Sequence, residues 1–382
     1  MMRYCVKCAK PGGSFDKRGV CEDCRDYEER SSADWDERGK EFIGVLNHTR
    51  LRSRPVFWTK DSAVKNFVRP FPRVLRIEPA SQCNLECSHC PTGTVDQDRG
   101  IMKDNVFDRV LSAIKENREN IKVVVLYHGG EPFLNKKIFK MVEKIKLVGD
   151  FTIKTDSNGL VLTDDMIFNM VASGLDMVVF SLDGKSPREN DFIRRNCEFT
   201  KVVKNIKRLM DYKKEVQSET PEIFISTTQF KTHEDLKDNQ NAKAPDYLRK
   251  EFSGEYALSE SSFRATFAMK WPHMEVDRDV YEVELDLLDN TTNNYCDHVF
   301  NTMTVRSDGI VVPCCYDLTS QLPMGDVRQE SLSAIWNNEN YLALRRSIYE
   351  KKFNTLCSNC WIVRPFNYLI IKPEVLKKLN NY

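Results

Sequence analysis

The sequence predicts an α/β protein: a partial (β/α)6 barrel with a small cysteine-rich α+β domain behind it and a cysteine ribbon in front. Two observations predict this. From Arg73 onward, short β-rich runs alternate with amphipathic stretches, the pattern of βαβ units and a parallel sheet. Five or six units are too few to close an eight-stranded barrel. The second observation is 13 cysteines, which fall in groups before, within and after this region.

Residues 1–45 read as a ribbon-like module and 46–72 as a linker, punctuated by Pro55, Pro70 and Pro72. The barrel is expected over 73–285. Its strands are expected at Val74–Ile77, Val123–Tyr127, Phe151–Thr155, Met177–Ser181 and Ile223–Thr227, with a sixth near Phe263–Met269. Helices are expected at Asn105–Asn117, Lys136–Leu147, Asp164–Ser173 and Thr200–Tyr212. In the last, Val202, Val203, Ile206, Leu209 and Met210 recur at helical spacing. The C-terminal domain, 286–382, shows a strand-like Met303–Val305, a turn at Ser307-Asp308-Gly309 and one long helical stretch from Leu332 to Tyr349. Residues 214–260 are polar. With the tail 361–382 they are candidates to line or cover a substrate pocket.

Lys+Arg 57 against Asp+Glu 56 leaves a net charge of +1, so no global basic field draws the chain to nucleic acid. Apolar runs such as Met177–Phe180 fall far short of the ~20 residues of a membrane span. Met1-Met2-Arg3-Tyr4-Cys5 has no apolar region of a secretion signal. A soluble cytoplasmic protein is therefore expected, in a compartment where thiols stay reduced. Tight C-x2-C and C-x3-C spacings then suit metal or cluster sites better than disulfides.

Cys83, Cys87 and Cys90 form C-x3-C-x2-C just after the first strand. Three thiolates in one loop can bind three irons of a [4Fe–4S] cluster and leave the fourth open to a small chelating molecule. The alternative is a zinc knuckle with a distant fourth ligand. The second strand runs into Tyr127-His128-Gly129-Gly130-Glu131-Pro132, where paired glycines admit a close ligand and Glu131 can accept from an ammonium. Ser157-Asn158-Gly159 follows the third strand and Ser181-Leu182-Asp183-Gly184 the fourth. All four features lie at C-terminal strand ends, where parallel α/β barrels place their active sites.

On these motifs the sequence resembles the radical S-adenosylmethionine (SAM) superfamily, in the branch with SPASM or Twitch C-terminal domains. The resemblance covers about residues 73–210 and 290–365. It implies a partial (β/α)6 TIM-like barrel with a small C-terminal α+β Twitch/SPASM cluster domain. It also implies that Cys83, Cys87 and Cys90 hold the SAM cluster and that Gly129-Gly130-Glu131-Pro132 holds the SAM amino group. Ser181 and Asp183 resemble ribose-side contacts, with Ser157 or Asn158 nearby, and Arg194 or Arg195 matches an arginine for the SAM carboxylate. His89 departs from the aromatic that many relatives carry before the third cysteine. The implied chemistry is reductive cleavage of SAM to a 5′-deoxyadenosyl radical that abstracts hydrogen from a substrate.

Cys296, Cys314, Cys357 and Cys360 are separated by 18, 43 and 3 residues, which resembles the Twitch version with one auxiliary [4Fe–4S] cluster. Four thiolates leave no open iron, so this centre should conduct electrons or anchor the fold. The alternative is a structural zinc. Cys315 could replace Cys314 as ligand, donate a hydrogen atom, or be merely buried; Cys197 reads as a small buried hydrophobe. Cys5-x2-Cys8-x12-Cys21-x2-Cys24 has a zinc-ribbon spacing, with a rubredoxin-like iron site as the rival. The segment around it resembles the leader of N-acetyl sugar amidotransferases, which hints at a sugar-pathway setting.

A Twitch arrangement resembles the aminocyclitol dehydrogenase type. The expectation is thus oxidation of a secondary alcohol on a sugar-like small molecule, with the electron leaving through the auxiliary cluster. The alternatives are peptide or protein modification, redox-neutral sugar epimerisation and, last, a non-enzymatic iron-sulfur binding protein, against which the intact three-cysteine and Gly-Gly-Glu-Pro motifs argue. Candidate bases are Tyr127, His128, Arg264 and Arg306, and candidate hydrogen donors Cys315 and Cys197. A flavodoxin- or ferredoxin-type electron donor is the implied partner.

Overall fold

The computed structural model describes residues 67–237, 242–286 and 292–380. Cys5, Cys8, Cys21 and Cys24, and with them the ribbon expected over 1–45, lie outside the described residues.

In chain order the strands are β1 (Val74–Ile77), β2 (Glu86–Cys87), β3 (Val123–Val125), β4 (Thr152–Ser157), β5 (Met177–Ser181), β6 (Arg194–Arg195) and β7 (Glu222–Gln229). They continue with β8 (Phe263–Phe267), β9 (Tyr281–Leu285), β10 (Thr302–Val305), β11 (Ile310–Val312), β12 (Gly325–Asp326) and β13 (Asn367–Ile371). Nine form one sheet, in the order β12-β11-β10-β1-β3-β4-β5-β7-β8. From β10 to β8 the neighbours run parallel, and β11 and β12 turn back antiparallel. The six expected barrel strands are present. A further parallel strand, β10, comes from the C-terminal segment and lies on β1 with Val74 opposite Thr302 and Ile77 opposite Val305.

Side chains alternate along these strands. Leu75, Ile77, Val124, Ile153, Val178, Phe180, Met303 and Val305 join the main core with the apolar faces of the covering helices. Those helices are α1 (Asp104–Glu116), α2 (Ile138–Val148), α3 (Asp164–Ala172) and α4 (Phe199–Glu215). The other face points inside the barrel and is mixed: Arg76, Lys154, Arg264 and Thr304 are all buried there, beside a small apolar cluster of Val123 and Val125.

The stretch Leu332–Tyr349 is two helices, α5 (Leu332–Trp336) and α6 (Glu339–Tyr349), where one was expected. The break falls at Asn337-Asn338. The Asn338 Oδ1 accepts the Tyr341 amide at 3.1 Å and its amide group donates to the Met324 carbonyl at 2.7 Å. Asparagine serves better as such a cap than inside a helix. In the tail, β13 pairs with β9, and bridges Lys231 to Ile370 and Met269 to Tyr368 fasten it near the ends of β7 and β8.

Candidate active site and cysteine centres

Strand β1 runs directly into Glu78, which is fully buried and joins three segments. Its Oε1 accepts the Gly129 amide at 2.9 Å and its Oε2 the Ser307 amide at 3.0 Å. The following loop carries Cys83, Cys87 and Cys90. Cys87 lies in β2 opposite Arg194 of β6, so the cysteine loop is hydrogen-bonded to the arginine segment. Burial pushes the Cys83 thiol up to about 11. Cys87 is raised too, by burial first, with Arg194 pulling the other way. Cys83 and Cys87 both feel the charge of Cys90, and every cysteine among the described residues is free. The loop also needs Gly130: a Cβ there would sit 2.4 Å from the carbonyl oxygens of Ala80 and Gln82.

Glu131 is 2% exposed and its carboxylate is already engaged. Oε1 accepts the Phe133 amide at 3.0 Å and the Ser157 hydroxyl at 2.9 Å, and Oε2 accepts the Asn158 amide at 2.8 Å. The Asn158 side chain in turn donates to Asn84 Oδ1 at 2.8 Å and to Cys83 Sγ at 3.9 Å. Ser181 closes β5 opposite Ser226. Asp183, two residues on, pairs with Arg194 Nη1 at 2.7 Å and accepts the Thr228 amide at 2.7 Å. Burial alone would raise its carboxyl, yet Arg194, His89 and Thr228 outweigh burial and hold it below the usual range. Arg194 Nε is buried and has no hydrogen-bond partner among the described residues. Arg195 is exposed and reaches Asp277 at 3.4 Å.

A cavity of about 250 Å³ adjoins this loop. His89, Tyr127, His128, Arg264 and Cys315 line it, against an aromatic wall of Phe267, Trp271, Tyr316, Trp361 and Phe366. His89 belongs to both places, since its Nε2 is 3.7 Å from Asp183. The His128 Nε2 donates to the Asp317 carbonyl at 3.3 Å, which leaves Nδ1 buried with no partner among the described residues. Burial, then the charges of Arg76 and Arg306, push His128 well below its ordinary value, so the ring is neutral. Burial raises Tyr127, which stays a phenol. Arg306 does not line the cavity; it bonds Ser320 and lies 3.6 Å from Glu78. Of the described residues in 214–260 only Thr228 reaches the lining, whereas the tail contributes Trp361 and Phe366.

The turn after β10 brings Cys314 back beside Cys296. With Cys357 and Cys360 they are all buried and line one enclosed space of about 20 Å³. Burial pushes Cys357 up to about 12, and it raises Cys296, Cys314 and Cys360 as well, with a neighbouring cysteine next in each case. Cys315 faces the larger cavity instead, its Sγ 3.4 Å from His298 Nε2, with burial pushing its thiol up to about 11. Cys197 sits 3.6 Å from Asn190 Nδ2 and does not line the cavity.

Residues 77–235 match the family model of the Radical SAM superfamily, and 296–361 match SPASM, an iron-sulfur cluster-binding domain. The chain carries a radical SAM domain followed by a SPASM domain. It is 24% identical over 323 residues to the "tungsten-containing aldehyde ferredoxin oxidoreductase cofactor-modifying protein" of Pyrococcus furiosus, covering 75% of this chain and 87% of that protein. A GTP 3′,8-cyclase of Clostridium botulinum is 30% identical over 141 residues, 35% of this chain and 42% of the cyclase. The solved structure of native anSMEcpe with bound AdoMet superposes with a TM-score of 0.53 at 15% identity, covering 76% of this chain and 88% of that one. That likeness is one of fold.

A radical SAM domain takes SAM and a [4Fe–4S] cluster, and a SPASM domain a further cluster. The residues fit both. Three free thiols share one loop beside an arginine whose buried Nε has no partner among the described residues, and four buried thiols enclose a space whose other polar lining is His298 and Tyr316. The Glu131 carboxylate is engaged by its own chain and braces the loops after β3 and β4. Of the two arginines, Arg194 is buried against Asp183 beside the cysteine loop and Arg195 is exposed. Glu78 went unnoticed, although its place directly after β1 was a signal. The aromatic wall had none, because its members come from separate segments. No helix among the described residues is long and apolar enough to cross a membrane.

Proposed function

We propose that this radical SAM protein oxidises a secondary alcohol of a sugar- or aminocyclitol-like small molecule. The observation that carries the reading is a cavity set between two cysteine centres. His89, beside Cys90, forms one side; Cys315 and Trp361, beside Cys314 and Cys360, form the other. When bound, SAM and the cluster at Cys83, Cys87 and Cys90 supply a radical that removes a hydrogen atom. The chain does the rest. Its aromatic walls exclude water and orient the substrate. His128 Nδ1, on a neutral ring, takes the hydroxyl proton. Cys296, Cys314, Cys357 and Cys360 would hold a cluster able to take up the remaining electron, so that loss of one hydrogen atom, one proton and one electron would yield a ketone. The Pyrococcus furiosus relative is named for modifying a cofactor, which supports a small molecule over a peptide. Zinc at Cys5, Cys8, Cys21 and Cys24, and a flavodoxin- or ferredoxin-type donor, complete the proposal.

A second reading, redox-neutral epimerisation, is favoured by Cys315, a thiol that burial keeps protonated at the cavity wall. One experiment separates the two. Anaerobically reconstituted protein is incubated in D2O with SAM, reductant and a panel of aminocyclitols and sugars. Oxidation predicts 5′-deoxyadenosine and ketone in equal amounts, with ketone formation lost in Cys357→Ala/Cys360→Ala. Deuterium in an inverted product, abolished by Cys315→Ala, would replace this reading with the second. No substrate-dependent 5′-deoxyadenosine from any panel member would sink the small-alcohol proposal.

A further inference from the structure

We infer that the substrate carries an oxyanion, a carboxylate or a phosphate, held by Arg264 inside the cavity. The inference rests on the reading of that cavity as the substrate site. Arg264 lies on the inward face of β8, is 5% exposed and lines the cavity. A guanidinium carries five N–H donors and a fixed positive charge. Yet its Nε is buried without a partner, and no hydrogen bond, ion pair or ring contact with the described residues holds the group. Evolution rarely leaves a buried cation so placed without a counter-charge, because its desolvation is not offset.

The surroundings sharpen the choice of ligand. Arg76 and Lys154 are fully buried on the same inward face, and the carboxylate that could balance them, Asp156, is taken by Lys154 at 3.0 Å. Among the described residues the inner face thus carries more positive than negative charge, and no carboxylate forms an ion pair with Arg264. Thr228 and Thr266 line the cavity too and offer hydroxyl donors of the kind that complete an oxyanion site. A neutral sugar would leave Arg264 unpaired when it displaced the water around it. An acidic sugar-like compound pairs its anion with Arg264 and lays its carbon frame on the aromatic wall.

The test is titration calorimetry of the anaerobically reconstituted protein saturated with SAM. Inorganic phosphate and acetate are titrated separately, at constant ionic strength in chloride. At least one should bind with a millimolar Kd, and the tighter of the two names the class. Arg264→Met should weaken that binding at least tenfold and Arg264→Lys by less, both with the wild-type iron content. If neither oxyanion binds the wild type, or Arg264→Met binds as well as wild type, the inference is wrong. Should Arg264→Met fail to take up iron, Arg264→Lys and Arg264→Gln carry the same comparison. The functional reading fails separately: Arg264-dependent oxyanion binding in a preparation that makes no 5′-deoxyadenosine would keep this site and remove the radical chemistry.

Discussion

His128 shows how much of a residue's role comes from its surroundings. A histidine before Gly-Gly in a βα turn is unremarkable by sequence. In the fold, burial and two nearby arginines keep it neutral, and the Asp317 carbonyl fixes the proton on Nε2. This has a pH consequence whose sign can be worked out. Its folded pKa lies well below the ordinary 6.5, so below that pH the unfolded chain binds the proton and the folded chain does not. Stability present above 6.5 is therefore lost as pH falls toward the folded value. Urea midpoints should drop between about pH 7 and pH 5, and His128→Gln, whose amide can still donate to Asp317, should flatten part of that slope. His89 and His273 are lowered by burial too, so the His128 share is the difference between wild type and variant. Equal slopes in the two proteins would show that His128 is not held neutral.

At the scale of elements, the site is made by loops that touch at backbone distance. The Gly-Gly-Glu-Pro segment lies on the cysteine loop through the Glu131 amide, which donates to the Gln82 carbonyl at 2.8 Å. Gly130→Ala would force these backbones apart, an overpacking that typically costs about 1–3 kcal/mol. The expected result is a protein with wild-type far-ultraviolet circular dichroism whose SAM affinity is weakened roughly tenfold, since ~1.4 kcal/mol corresponds to that factor. Unchanged SAM affinity, measured by equilibrium dialysis, would mean that the loop contact does not shape the SAM site. The sequence made this segment visible because glycine pairs at strand ends are rare in helical or strand interiors. It did not show what Glu131 bonds, because Ser157 and Asn158 come from the next βα unit.

For the whole molecule, the decisive feature is β10 on β1. The C-terminal segment does not simply follow the barrel; its first strand continues the sheet, and Glu78 of the barrel bonds Ser307 beyond that strand. Without β10, the backbone edge of β1 and the apolar contacts of Met303 and Val305 would be exposed. A chain ending at Asp286 should therefore lose cooperative unfolding and fail to hold iron at Cys83, Cys87 and Cys90. A truncated chain that unfolds in one sharp transition with about four irons, one [4Fe–4S] cluster, would show instead that the barrel is self-sufficient.

The sequence by itself determined the six barrel strands, the four covering helices and the cysteine groups, because hydrophobic period and cysteine spacing are local properties of the chain. It also placed Asp183 and the strand-end motifs at one end of the barrel, since parallel βαβ order leaves no other place for them, whereas Arg194 came only from the family resemblance, with Arg195 as its alternative. Only the tertiary structure decided that Cys314 joins the four-cysteine centre while Cys315 turns to the cavity, that Glu131 is a brace, that Asn337-Asn338 splits a helix, and that Arg264 stands buried with no partner among the described residues. Each of these depends on a residue or element elsewhere in the chain: Cys360, Ser157, Met324 and β7, the strand on which β8 lies. Spacing along a chain records periodicity, but burial and pairing are properties of the packed whole.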